Sequence, residues 1–242
     1  MAVRKTGHCV NSNSVSKARL VKVPAPVIPR QRHTLPAFQK ACDFRMFWSP
    51  KHPAAASEFH SYAEYLHAGL LELDPQVTAF VPQPFMVTIR GKRYTPDCYV
   101  VRNGQRVVIE IKPNGLLSPE ILDPMTEYCT FHNLLFQVIS NEAIQARQVE
   151  AENGVTLAHC LHAARDIDTT SVEMDVLAQV HDEDQGVIFG DFIDPGHREA
   201  TFEKEIAVLR LIHRGLLLTN LDQHTLDYTT EVKPCISPGV NA

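Results

Sequence analysis

Two carboxylates and a lysine sit on neighbouring extended stretches of this chain. Tyr94-Thr95-Pro96-Asp97 runs into Cys98-Tyr99-Val100-Val101. After the turn Arg102-Asn103-Gly104-Gln105 comes Val107-Val108-Ile109-Glu110-Ile111-Lys112-Pro113. Asn-Gly between two apolar runs is a strong hairpin signal, so Asp97 and Glu110 fall on consecutive strands. Alternation puts Glu110 and Lys112 on one face of their strand. Carboxylates that hold Mg²⁺, beside a cation that reaches the same phosphate, are what metal-dependent phosphodiester hydrolysis requires. Mn²⁺ is expected to substitute for Mg²⁺. A third carboxylate on the preceding helix would complete the set, and Glu64 is the best placed. Glu58 and Glu72 flank it and read as solvated or structural.

The competing reading makes Asp97 the end of a turn and Glu110–Lys112 a surface ion pair. The residues around Glu110 disfavour it, because Val107 to Ile111 is otherwise β-branched, the pattern of a central strand buried on both faces. A lone carboxylate there is costly unless it is paired or bound to metal. Lys92 and Arg93 before the site, and Arg102 and Arg106 around the next turn, are candidates for phosphate contacts or equally exposed loop charges. His159 and His162 lack acidic or cysteine companions and read as helix-surface residues rather than a zinc site.

The elements that must position these groups follow from periodicity. Residues 57–73 read as a helix capped by Ser57 and ended by Asp74-Pro75. Strands are expected at 77–81, 85–90, 93–101 and 106–112, then a helix over 118–134 and a strand over 135–139. Helical segments follow at 141–152 and 154–164. The predicted fold class is a mixed α/β layer fold, with a mixed sheet flanked by helices. Beyond residue 166 come helices at 172–180 and 199–214, stopped by Gly215, and then a small hairpin from 216–218 and 228–232. Helices followed by a hairpin suggest a small winged-helix-like module. The organisation is thus an arm at 1–35, a catalytic domain at 36–165 and a C-terminal domain at 166–242.

Charge is unevenly spread. Residues 1–51 carry ten Lys/Arg against one acidic residue, Asp43, although the whole chain has a net charge of −5. The arm is rich in Ser, Asn, Pro and basic residues, and is expected to be extended or disordered and to lie along nucleic-acid phosphates. The aromatic cluster Phe38, Phe44, Phe47 and Trp48 is expected to pack on the domain surface. No apolar run is long enough to span a bilayer, no secretory h-region is seen, and six cysteines without a CxxC pair fit a reducing compartment. A cytoplasmic, nucleoid-associated protein without a membrane partner is expected.

In order, Ser61-Tyr62-Ala63-Glu64, Leu71-Glu72-Leu73-Asp74-Pro75, Gln83-Pro84, Tyr94-Thr95-Pro96-Asp97 and Glu110-Ile111-Lys112-Pro113 resemble the TnsA endonuclease subunit of heteromeric transposases. That family belongs to the PD-(D/E)xK, restriction-endonuclease-like superfamily. The resemblance covers roughly 57–115, and 208–232 more loosely. It implies a restriction-endonuclease-like fold, with Glu64, Asp97 and Glu110 as metal ligands, Lys112 as the catalytic lysine and Gln83 as a supporting residue. Some members carry Gln where this chain has Glu110. The implied activity is hydrolysis of the non-transferred strand near the 5′ transposon ends. A TnsB-like DDE recombinase would cut and join the 3′ ends, and a TnsC-like AAA+ ATPase would contact the C-terminal domain. Some such systems are CRISPR-guided. The alternatives are a stand-alone restriction or junction nuclease, and a non-catalytic DNA-binding adaptor that has kept the fold.

Overall fold

The computed structural model describes residues 29–182 and 186–235. A short helix, α1 (Pro36–Gln39), precedes an antiparallel hairpin of β1 (Arg45–Ser49) and β2 (His52–Phe59). This hairpin corrects the expected start of the next helix. Ser57 is not a helix cap: it is buried in β2 opposite Phe47, and its hydroxyl meets His52 Nδ1 at 2.9 Å. The helix, α2 (Tyr62–Leu73), begins one turn later at Ser61, whose Oγ accepts from the Glu64 N–H. Glu64 returns the contact by accepting from Ser61 Oγ and the His60 N–H, a variant of the capping box. The S-x-x-E signal was in the sequence, four residues on from the cap assigned there.

β3 (Val77–Pro82) leads to a separate two-stranded ribbon, β4 (Val87–Ile89) and β5 (Lys92–Tyr94). The single strand expected over 93–101 is therefore two. Thr95 and Pro96 break it, since proline cannot donate to a ladder. β6 (Cys98–Arg102) and β7 (Gln105–Lys112) form the predicted hairpin. Helix α3 (Pro119–Phe131) then crosses over to β8 (Leu135–Ser140), which pairs parallel to β7. The result is a mixed four-stranded sheet in the order β3-β6-β7-β8, with β7 internal as its apolar sequence requires.

The two faces of this sheet are covered differently. Val107, Ile109 and Ile111 pack with Leu66, Leu70 and Leu71 of α2. Val108 packs with Met125, Tyr128 and Cys129 of α3. After α4 (Asn141–Gln145) comes α5 (Gln148–Ala163), one continuous helix where a break near residue 153 was expected. Its Gly154 lies against Gly69 of α2. A Cβ on Gly154 would stand 1.9 Å from the Gly69 carbonyl oxygen, and a Cβ on Gly69 2.0 Å from that of Ala151. These glycines are a packing device that lets the two helix backbones touch.

α5 also serves the second core. Ala151, Val155 and Ala158 join the sheet core, whereas Leu157, Leu161 and Ala164 pack with the C-terminal elements. These are α6 (Thr170–Asp182), β9 (Val187–Ile188), α7 (Arg198–His213), β10 (Leu217–Thr219) and β11 (Glu231–Pro234). The three strands make an antiparallel sheet in the order β10-β11-β9, so the expected terminal hairpin gains a third strand. Gly215 ends α7 at φ +70°. The acidic run at 182–184 lies mostly outside the described residues. Among those described, no helix is long and apolar enough to cross a membrane.

Polar ties fasten the layers. Lys51 is buried and its Nζ donates to the carbonyls of Leu71, Glu72 and Asp74, each at 2.8 Å, closing the C-terminal end of α2. Burial pushes its pKa down to about 8, against the pull of Glu72 and Asp74. Lys51 is thus a structural cap, not a base-contacting residue. Fully buried Glu72 accepts from Ser49 Oγ and meets His213 Nε2 of α7 at 2.7 Å. Asn153 of α5 donates to the carbonyls of Leu221 and His224 and accepts from the Leu226 N–H.

The backbone contact of α2 with α5 generates a prediction. Gly69→Ala and Gly154→Ala should each destabilise the protein by about 2–3 kcal/mol, because the helices must separate to admit one methyl group. Chemical denaturation midpoints check this; unchanged midpoints would mean the helices do not meet at these glycines.

Candidate active site

The ladder answers the register question left open by the sequence. Cys98 pairs with Ile109, so Asp97, one step beyond, comes beside Glu110. Asp97 is anchored there by the Ile111 N–H, which donates to its Oδ2 at 2.7 Å. Lys112 Nζ lies 2.5 Å from Glu110 Oε1 and 3.6 Å from Asp97 Oδ2. The three side chains singled out for chemistry therefore converge.

Their burial is graded. The Glu110 side chain is 2% exposed, Asp97 16% and Lys112 35%. Burial drives the Asp97 pKa up to about 7. The charges of Glu110 and Glu64 add to the rise, and Lys112 and the Ile111 N–H oppose it. Burial by itself would lower the Lys112 pKa, but Asp97 and Glu110 outweigh it and hold the ammonium above its ordinary value. Beside them, burial and then the Glu110 charge raise the Tyr94 hydroxyl. Neither Tyr94 Oη nor the buried Glu110 Oε2 is aligned for a hydrogen bond.

Glu64 is nearby but differently engaged. Its Oε2 accepts from Gln83 Nε2 at 2.6 Å, and its other contacts are those of the helix cap. The physical reason is the sheet. Alternation sends Glu110 and Lys112 to the α3 side with Val108, while α2 packs on the opposite side. Glu64 reaches the site from the end of the sheet, close enough to raise Asp97. Among the described residues, no three or more His, Cys, Asp and Glu side chains are gathered as a metal-holding group. Asp97 is within electrostatic reach of both other carboxylates of the expected set, although Glu64 is bonded to Gln83 and the helix cap. A Mg²⁺ site of one or two carboxylates, completed by water and substrate oxygens, needs less. Asp97 and Glu110 fit that smaller role: two adjacent carboxylates repel each other, with one ammonium between them.

Gln83 joins the two halves of the site. It is buried, sits at φ 38°, and its N–H donates to the Asp97 carbonyl at 3.0 Å. A non-glycine residue in that region is strained and persists only where its surroundings hold it. Its side-chain oxygen accepts from Gln31 Nε2 at 3.2 Å. That contact corrects the expected arm. Residues 29–35 are not free of the domain: Gln31 also donates to the Glu58 carbonyl, the Arg32 N–H to the Gln83 carbonyl, and the Thr34 N–H to Glu58 Oε2. The rest of the arm lies outside the described residues.

The docked segment forms one wall of a cavity of about 440 Å³ that opens onto Asp97, Gln83 and Thr95. Arg32, Phe38 and His60 line it and were not assigned to the site from the sequence. The signals in the sequence were the basic character of the arm for Arg32 and the aromatic cluster for Phe38; His60 had none. Phe38 meets the His60 ring edge-on at 4.9 Å. Arg32 reaches Thr95 Oγ1 at 3.5 Å and has no ion-pair partner among the described residues.

The four basic candidates separate. Lys92 and Arg93 are exposed on β5, which leads directly into Asp97. Arg102 and Arg106 are at the other end of the β6–β7 hairpin and are not brought to the carboxylates. Arg102 pairs with Asp74 at 2.9 Å, and Arg106 donates to the carbonyls of His132 and Asn133.

The Asp97 carboxyl sets a pH signature. Its folded-state pKa lies above the ordinary 3.8, so folding favours the protonated form. That stabilisation is complete below about pH 4 and is lost as pH rises through about 7. In metal-free buffer, Asp97→Asn should therefore stabilise the protein more at pH 8 than at pH 5, by an amount on the order of 2 kcal/mol. Thermal melts at both pH values check it; an equal shift at both would refute the crowding of these carboxylates.

Compared with known proteins, no family model and no curated protein matches the chain, so the geometry above carries the functional argument.

Proposed function

We propose that this chain is a Mg²⁺-dependent DNA endonuclease of the TnsA type, cleaving the non-transferred strand near the 5′ transposon ends. The observation that carries the reading is the meeting of Asp97, Glu110 and Lys112 at one end of an internal hairpin, with Asp97 lining a cavity. Asp97 and Glu110 would hold the ion, which when bound acidifies water and neutralises charge on the phosphate. Lys112 now occupies the space between those carboxylates, so its ammonium and a divalent ion compete for the same oxygens. Its partial exposure lets it turn toward a phosphate, where it stabilises charge that develops during hydrolysis.

The remaining residues position these. Gln83 ties the Asp97 backbone to the Glu64 carboxylate and so fixes the rim of the site. Arg32 is the cation closest to hand for a DNA phosphate entering the cavity, with Lys92 and Arg93 on the adjoining ribbon. The sequence of the DNA ends would be read by a partner recombinase of the TnsB type. The α6–α7 and β9–β11 layer offers a separate surface for an ATPase of the TnsC type.

The test is strand cleavage in a transposition reaction reconstituted with a recombinase of the TnsB type and an ATPase of the TnsC type. Asp97→Ala and Lys112→Ala should each lower 5′-end cleavage at least 100-fold while leaving partner assembly intact. Cleavage by Asp97→Ala at the wild-type rate would sink the site assignment. Arg32→Ala should weaken cleavage about tenfold, with the deficit shrinking as salt is raised, because the variant releases fewer counterions on binding DNA. Deleting residues 1–28 should weaken DNA or partner binding without unfolding the domain, because the docked segment begins beyond them. An unchanged salt-dependent affinity would make the arm a passive tail.

A further inference from the structure

A second cavity, of about 830 Å³, opens where β1 meets α5, α6 and α7. It shares no lining residue with the Asp97 cavity, and no step of the proposed cleavage uses it. Its volume is that of a small-ligand site.

Two features of the lining point to a ligand class. The first is flat and aromatic. The Trp48 indole lies parallel to the His162 imidazole, with centroids 4.9 Å apart and planes at 4°, yet remains 43% exposed. Trp48 is in a strand whose neighbours Phe47 and Ser49 are buried, so alternation turns the indole out of the core and toward the cavity. The second feature is a surplus of guanidinium groups. Arg165, Arg210 and Arg214 line the cavity against a single carboxylate, Glu173. Glu173 is taken by Arg214 at 2.6 Å. Arg210 donates only to neutral oxygens, Thr169 Oγ1 at 2.7 Å and the Ala164 carbonyl at 3.1 Å. Among the described residues it has no ion-pair partner. Arg165 donates to the His162 carbonyl at 3.1 Å and meets Asp166 only in a solvent-exposed pair at 3.4 Å.

An apolar ligand would leave the guanidinium groups without an anion. A simple anion would leave the aromatic platform bare. A planar ring that carries a phosphate uses both, by stacking and by charge-assisted hydrogen bonds. We propose that this cavity binds a nucleotide, its base stacked at Trp48 and its phosphate held by Arg165 and Arg210. The nucleotide is either free or the terminal residue of a DNA strand.

Trp48 is the single tryptophan of the chain, so its fluorescence reports on this cavity alone. The full-length protein is titrated with adenosine monophosphate, adenosine, inorganic phosphate, tetradeoxyadenylate with and without a 5′-phosphate, and a tetraglutamate peptide. Saturable quenching by adenosine monophosphate or the 5′-phosphorylated oligonucleotide is expected, at least tenfold tighter than by adenosine, phosphate or the unphosphorylated oligonucleotide. The tighter of the two phosphorylated probes identifies the source. Arg165→Gln, an exposed change that spares the fold, and Arg210→Gln should each weaken binding at least tenfold, whereas Lys112→Ala should leave it unchanged. The proposal is overturned if neither phosphorylated probe quenches at millimolar concentration. It is equally overturned if Arg165→Gln binds as wild type, or if tetraglutamate quenches as tightly as the nucleotide.

Discussion

A carboxylate buried in an apolar strand is the constraint around which this protein is arranged. Glu110 is internal to the sheet, between β6 and β8, with valine and isoleucine on either side. An isolated charge there would cost several kcal/mol and would neutralise instead. The structure answers with Lys112 on the same face and Asp97 across the hairpin, the latter pinned by the Ile111 N–H. The answer is incomplete, because two acids share one ammonium. Incomplete compensation of this kind is common where a site is built to receive a cation or a phosphate, and less so where packing alone is at stake.

Everything that fixes this site is at some remove from it. The glycine contact of α2 with α5 lets two backbones touch, which sets where the N-terminal end of α2 can lie and hence where Glu64 meets Gln83. The opposite end of α2 is closed by buried Lys51 and joined to α7 through Glu72 and His213. α5 in turn belongs to both cores. The sheet layer and the C-terminal layer therefore share one helix.

Legibility followed the range of the forces. Local signals were read well: the hairpin turn at Asn103-Gly104, the apolar run of β7, the order of strand, helix and strand through β8, and the end of α7 at Gly215. The errors arose where tertiary contacts override local pattern. Ser57 looked like a cap but pairs in a hairpin whose first strand, an aromatic cluster, carried no clean alternation. Residues 148–163 looked like parts of two segments, because the Gly69–Gly154 contact that holds this helix against α2 joins residues distant in sequence. Residues 29–35 looked like part of a polar arm, because hydrogen bonds from Gln31 and Thr34 leave no hydrophobic trace.

The sequence by itself determined that a mixed α/β layer would carry Asp97 on one strand and Glu110 with Lys112 on the next, since turn chemistry and period-two alternation are local properties. It also singled out Glu64, and the family resemblance added Gln83. Only the tertiary structure decided how those five residues relate. The register put Asp97 beside Glu110. The packing of α2 on the opposite face of the sheet held Glu64 back as a neighbour bonded to Gln83. The docked N-terminal segment brought Arg32 and Phe38 to the cavity. Each of these depends on contacts between residues far apart in the chain, whose geometry no local pattern encodes.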